Sequence, residues 1–144
     1  MSLPRPLRMT RRREFEAVRV GGTSAGGRLL AVSVLNQPDA VRSKFGVIVP
    51  KALGAAPTRN RIKRRLRAII QQALPILEKQ PGPARACVTI ARRASPEASF
   101  ADLYREWHRL ARQIGLWPPG HPVPPVAGAE PAPSTALRSQ DSPA

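Results

Sequence analysis

Residues 58–70 read TRNRIKRRLRAII. With the residues that follow, Ile62, Leu66, Ile69, Ile70, Ala73 and Leu74 fall at offsets 0, 4, 7, 8, 11 and 12, one apolar stripe at the helical period. The spacing predicts a helix that Thr58 caps and that packs on a sheet through the stripe. Six cations, Arg59, Arg61, Lys63, Arg64, Arg65 and Arg67, are threaded between the apolar residues and must leave the helix on its other sides. Solvated faces usually mix signs, because opposite charges four residues apart support a helix and like charges oppose it. This helix carries no acid. A cation in a first turn also opposes the helix dipole, by about 0.3–1 kcal/mol, whereas the free N–H groups there attract phosphate. Arg59 and Arg61, with the amide of Asn60, therefore read as a phosphate or sugar-edge site.

The whole chain shares the bias. Its 144 residues contain 24 Lys and Arg against 9 Asp and Glu, a net charge of +15. That length suits one domain, and 42% hydrophobic residues supply a modest core. No acid occurs between Asp39 and Glu78, while Arg42, Lys44, Lys51 and the six cations above do, so the basic surface is local. A polyanion, nucleic acid first, is the partner this implies. A membrane surface would call for aromatic anchors, and aromatics make up 4% of the chain. No apolar run approaches a membrane span, and the opening MSLPRPLRMTRRREF lacks the apolar segment of a signal peptide. Cys87 has no second cysteine to pair with, and no Cys/His spacing suits a metal, which fits a cytoplasmic protein with Cys87 in its core.

Working outward, Thr10 is placed to cap a short helix with Phe15 and Val18 three apart, ending at Gly21 and Gly22. LLAVSVL (29–35) and KFGVIVP (44–50) read as a strand pair joined through the turn residues Gln37, Pro38 and Asp39. ARACVTIAR (84–92) reads as a third strand. Ser95 with Pro96, or Ser99, opens a last helix whose stripe of Phe100, Leu103, Trp107, Leu110 and Ile114 reads as core. The order predicts an α/β (α+β) sandwich, a small sheet packed with about three helices. From Gly115 onward the chain holds 8 of its 17 prolines. The expected division is a domain over 1–116 and a Pro-rich disordered tail over 117–144.

No constellation for autonomous catalysis is evident. His108 beside Trp107 and His121 in the tail read as surface or tail histidines, and Asp102, three residues after Ser99, as part of a helix cap. No residue is assigned a catalytic or metal-binding role, and no small-molecule substrate is implied.

The stretch PKALGAAPTRNRIKRRLRAII (50–70) resembles the signature of the bacterial ribonuclease P protein component, approximately Lys-Lys-Val-Gly-x-Ala-Val-x-Arg-Asn-Arg-x-Lys-Arg-x-x-Arg. The match covers Lys51, Gly54, Ala56, Arg59, Asn60, Arg61, Lys63, Arg64 and Arg67 without gaps. REFEAVRVGG, KFGVIVPK and CVTIARR extend the likeness across roughly residues 5–116. The resemblance implies a left-handed βαβ crossover, which periodicity could not indicate. It also implies an accessory subunit of a ribonucleoprotein endonuclease, in which an RNA using magnesium removes the 5′ leader of precursor tRNA. By the same resemblance Arg59, Asn60, Arg61, Lys63, Arg64 and Arg67 would face the catalytic RNA, with Lys51 and Arg65 of the same basic region grouped with them. Phe15, Arg19 and Phe45 would be candidates for the leader cleft. The chain departs from the pattern at Pro50, Ala55 and Pro57, and at Arg19, where a second aromatic is common. A ribosomal-type structural-RNA-binding protein is the alternative that the composition leaves open.

Overall fold

The computed structural model describes residues 3–126. A four-stranded mixed sheet in the order β1-β2-β4-β3 is built from β1 (Thr23–Gly26), β2 (Leu30–Gln37), β3 (Lys44–Ile48) and β4 (Ala84–Ala91). Helices α1 (Arg12–Gly21), α2 (Ala56–Leu77) and α3 (Phe100–Gln113) pack on it, giving the expected α+β sandwich.

The segments 29–35 and 44–50 are not partners. β4 lies between them, antiparallel to β2 and parallel to β3. Its residues Ala86 to Thr89 are buried in succession, a pattern of a strand covered on both faces, whereas β2 alternates. Proximity in sequence suggests a hairpin, but the β3–α2–β4 crossover places the more continuously apolar strand in the centre. β1 has no counterpart in the sequence reading: beside Thr23, the residues Ser24, Ala25 and Gly26 carry little β signal, and pairing with β2 supplies the order, including a Ser24–Ser33 hydroxyl contact of 2.6 Å.

The two sides of the sheet differ. Leu30, Val32, Val34, Phe45, Cys87 and Ala91 meet the α2 stripe, where Ile62, Leu66, Ile69 and Ile70 are completely buried, and Leu103, Trp107 and Leu110 of α3. Removing such side chains from water is worth about 1.5–3 kcal/mol each. Trp107 Nε1 donates to Thr89 Oγ1 at 3.0 Å, so the apolar layer leaves neither group unsatisfied. The opposite side holds a smaller cluster of Met9, Val18, Ala86 and Val88, with Phe15, Leu35, Ile48 and Ile90 only partly buried; α1 covers part of that face.

Helix starts differ from the sequence reading by one or a few residues. Thr58 is not the cap of α2: Ala55 is, and Pro57 sits in the first turn, where its missing N–H costs nothing. Likewise Arg11 rather than Thr10 precedes α1, and the Glu14 carboxylate accepts from both of their backbone N–H groups. Ser99 does cap α3, accepting from the Asp102 N–H at 3.0 Å.

The domain also extends past residue 116. Trp117 is fully buried, Tyr104 Oη donates to Pro124 O at 2.9 Å, and Arg112 and Trp117 both donate to His121 O. Prolines remove the periodicity that would have advertised this segment, yet an extended chain can dock through aromatic contacts. The rest of the expected tail, 127–144, lies outside the described residues. His108 is no surface residue: at 3% exposure it packs between Tyr104 and Trp117, ring centroids 4.4 and 4.7 Å away.

Candidate nucleic-acid interface

α2 presents its cations at about 100° per residue, and adjacent arginines therefore meet different surroundings. Arg64 is exposed, as is Asn60, and Lys63 and Arg67 are half-buried; these four side chains have no protein hydrogen-bond or ion-pair partner among the described residues. Arg65, at 9% exposure, instead donates through Nη1 to Ala98 O at 3.0 Å. Arg61 reaches Pro96 O through Nη2 at 3.0 Å, and its Nε is buried with no partner among the described residues. These two arginines tie the 3₁₀ turn Ser95–Glu97 and the start of α3 to α2.

The earlier start of α2 changes the electrostatics. Arg59 and Arg61 are its fourth and sixth residues, beyond the first turn where the dipole cost is concentrated. Arg59 donates through Nε to Gly54 O at 3.0 Å and so braces the loop that enters the helix. Gly54 has φ of 141°, a backbone setting in which a side chain would be strained, and this accounts for glycine at that place. Lys51 is exposed in the short 3₁₀ turn just before it. The departures at Pro50, Ala55 and Pro57 leave the helix intact: Pro50 precedes the Lys51–Leu53 turn and Pro57 favours helix initiation.

The leader-cleft candidates separate. Phe45, at 3% exposure, points to the α2 side of the sheet and is core, not cleft. Phe15 lies on the α1 side, half-buried, with its ring over Gly46; a Cβ at Gly46 would meet Phe15 Cε1 at 2.5 Å. Arg19 is exposed and paired with Glu16 at 2.7 Å. Lys44 and Glu14 pair at 2.9 Å where α1 crosses the start of β3. Burial alone would raise the Glu14 pKa, but the Lys44 ammonium and the Arg11 and Thr10 amides outweigh it and hold the carboxyl below its usual range.

Among the described residues, no three His, Cys, Asp or Glu side chains cluster. Burial pushes the Cys87 thiol up to about 12, which leaves it unreactive. No described helix is long and apolar enough to cross a membrane.

The family model for ribonuclease P matches residues 3–115. The chain belongs to the ribonuclease P protein family. Among its curated relatives, the ribonuclease P protein component of Micrococcus luteus is 42% identical over 110 residues, covering 69% of this chain and 79% of the relative. That of Geobacillus kaustophilus is 31% identical over 121 residues, covering 83% and 97%. In fold, the chain is similar to the Staphylococcus aureus RNase P protein, with a TM-score of 0.69 at 21% identity over 77% of this chain and 97% of that one. The Thermotoga maritima RNase P protein gives 0.61 at 23% identity over 73% and 96%. The chain is thus the protein subunit of a ribonucleoprotein endonuclease of tRNA maturation, with RNA as its partner, rather than a ribosomal-type binding protein. Within this ribonuclease P protein, the signature residues divide by surroundings: Asn60, Lys63, Arg64 and Arg67 are open, whereas Arg61 and the neighbouring Arg65 grip the protein's own backbone. The residues that sequence reasoning missed are Pro96 and Ala98, whose carbonyls give no signal in the sequence.

Proposed function

We propose that Asn60, Lys63, Arg64 and Arg67 bind the backbone of the catalytic RNA of ribonuclease P, with Arg59 and Lys51 at the border of that surface. The observation that carries this reading is an acid-free helix face whose cations find no acceptor among the described residues of the protein. Such a face gains from phosphate what it cannot gain internally, through charge neutralisation and counterion release. Arg61 and Arg65 act by positioning, fixing α2 against the segment that leads into α3. The precursor tRNA leader lies on the α1 side of the sheet, against Phe15 and the half-buried Leu35, Ile48 and Ile90, with Arg19 at the helix exterior. Stacking there rests on one aromatic ring, and aliphatic surface and charge supply the rest. Magnesium is held chiefly by the RNA, and the assembly is cytoplasmic.

The test adds the purified chain to a bacterial ribonuclease P RNA at low magnesium with precursor tRNA. Stimulated cleavage at the mature 5′ end is the expected result; no stimulation would overturn the reading.

A further inference from the structure

The segment before α1 is not a loose basic arm. Leu3 and Leu7 are buried in the main core, Met9 is buried in the cluster on the other side of the sheet, and Met9 N donates to Phe45 O at 2.9 Å. The segment thus wraps the outer edge of β3, which would otherwise offer unpaired backbone groups. Between this strap, the start of α1 and Lys44 lies a cleft of about 760 Å³ lined by Arg5, Arg8, Arg11, Arg13, Glu14 and Lys44.

The one acid among these lining residues is already engaged. Glu14 accepts from the Thr10 and Arg11 amides and pairs with Lys44, so the cleft is left with four arginines and no free counter-charge. Arg8 is preset by donation from Nε to Leu3 O at 3.0 Å, and Arg5, Arg11 and Arg13 are exposed with no acceptor among the described residues. Arg11, Arg12 and Arg13 occupy the cap and first two positions of α1, where the dipole opposes cations, so helix stability does not select them. A concave, one-signed surface concentrates its field on an anion. Lys44 opens β3, whereas Lys51 and α2 follow the far end of that strand, so this cleft and the α2 surface are separate.

We propose that this cleft is a second phosphodiester site of the subunit, taking the backbone of an RNA strand independently of α2. The inference rests on the RNA-binding reading above, and two sources share the chemistry: the ribonuclease P RNA and the precursor leader. The experiment uses the full chain with Arg5→Gln, Arg11→Gln and Arg13→Gln combined. A control changes the exposed Arg28, Arg42 and Arg93 to Gln, removing equal charge elsewhere. Affinity is measured across salt concentrations for the ribonuclease P RNA alone, and in the holoenzyme for precursor tRNA against mature tRNA.

The cleft variant is expected to weaken binding roughly tenfold or more and to flatten the salt dependence by about 0.7–0.9 for each phosphate it no longer neutralises, with the control near wild type. Weaker binding of the RNA subunit assigns the cleft to it; weakening confined to leader-bearing precursor assigns it to the leader. If both affinities stay within about twofold while Lys63→Gln with Arg64→Gln weakens binding, the cleft proposal fails and the α2 reading stands. An equal effect of the control also overturns it, as mere net charge. If neither the cleft nor the α2 variant alters RNA binding, the underlying functional reading fails.

Discussion

Arg64 and Arg65 are neighbours in one helix and identical in chemistry, yet one is exposed and the other is 9% exposed with its guanidinium on the carbonyl of Ala98. The same contrast holds between Phe15, half-buried over Gly46, and Phe45, in the core. Each pair shows that residue type and membership of a motif do not settle a role. The direction in which the backbone aims the side chain does. A cation whose donors are met by the protein holds the fold, and one whose donors are not met is available to a polyanion.

The largest stability effect should come from the inward member of the first pair. Arg65→Ala removes a charged donor from the half-buried Ala98 carbonyl and is expected to cost about 1.5–3 kcal/mol in denaturant unfolding. If Arg65→Ala leaves stability unchanged while RNA affinity falls, the division of α2 collapses. A somewhat smaller destabilisation, about 1–2 kcal/mol, should follow Gly46→Ala, because the added methyl has no room beneath Phe15. The expected signature is a change in α1 docking, read by amide exchange across 12–21, and unchanged exchange in α1 would remove Phe15 from its assigned place.

The histidines extend the comparison. Burial, aided by the nearby charge of Arg112 and only partly opposed by the bond to Tyr104 O, lowers the His108 pKa from its ordinary 6.5. The unfolded chain therefore takes up this proton before the folded one does. Stability from the neutral form is fully present above about 6.5 and is lost as pH falls below it toward the folded value. His108→Phe keeps a ring between Tyr104 and Trp117 and should flatten the fall in melting temperature between about pH 7 and pH 5. An undiminished slope would place the titrating group elsewhere.

Where the sequence is legible, one regular signal dominates. The α2 stripe has the helical period, and its burial from Ile62 to Leu77 follows it. The Ser99 cap and the Trp107 stripe are equally direct. Strand neighbours are not legible, since β4 enters the centre of the sheet through a long crossover that local propensity does not encode. β1 has Thr23 as its single β-forming residue, and Trp117 is hidden among prolines although three hydrogen bonds to carbonyls fasten the segment to α3 and itself. At the interface, composition locates the basic helix and the signature names its family. Separating Arg61 and Arg65 from Lys63, Arg64 and Arg67 requires the path of the chain at Pro96 and Ala98, more than thirty residues away in sequence.

The smallest expected effect on stability accompanies the largest on binding, and it tests the central claim most directly. The combined variant Lys63→Gln, Arg64→Gln and Arg67→Gln should unfold within about 0.5 kcal/mol of the parent chain. Its affinity for ribonuclease P RNA should drop, with the salt slope reduced by about 1 for each phosphate left without its cation. An unchanged salt slope and affinity in a fully folded variant would contradict the assignment of this face to RNA.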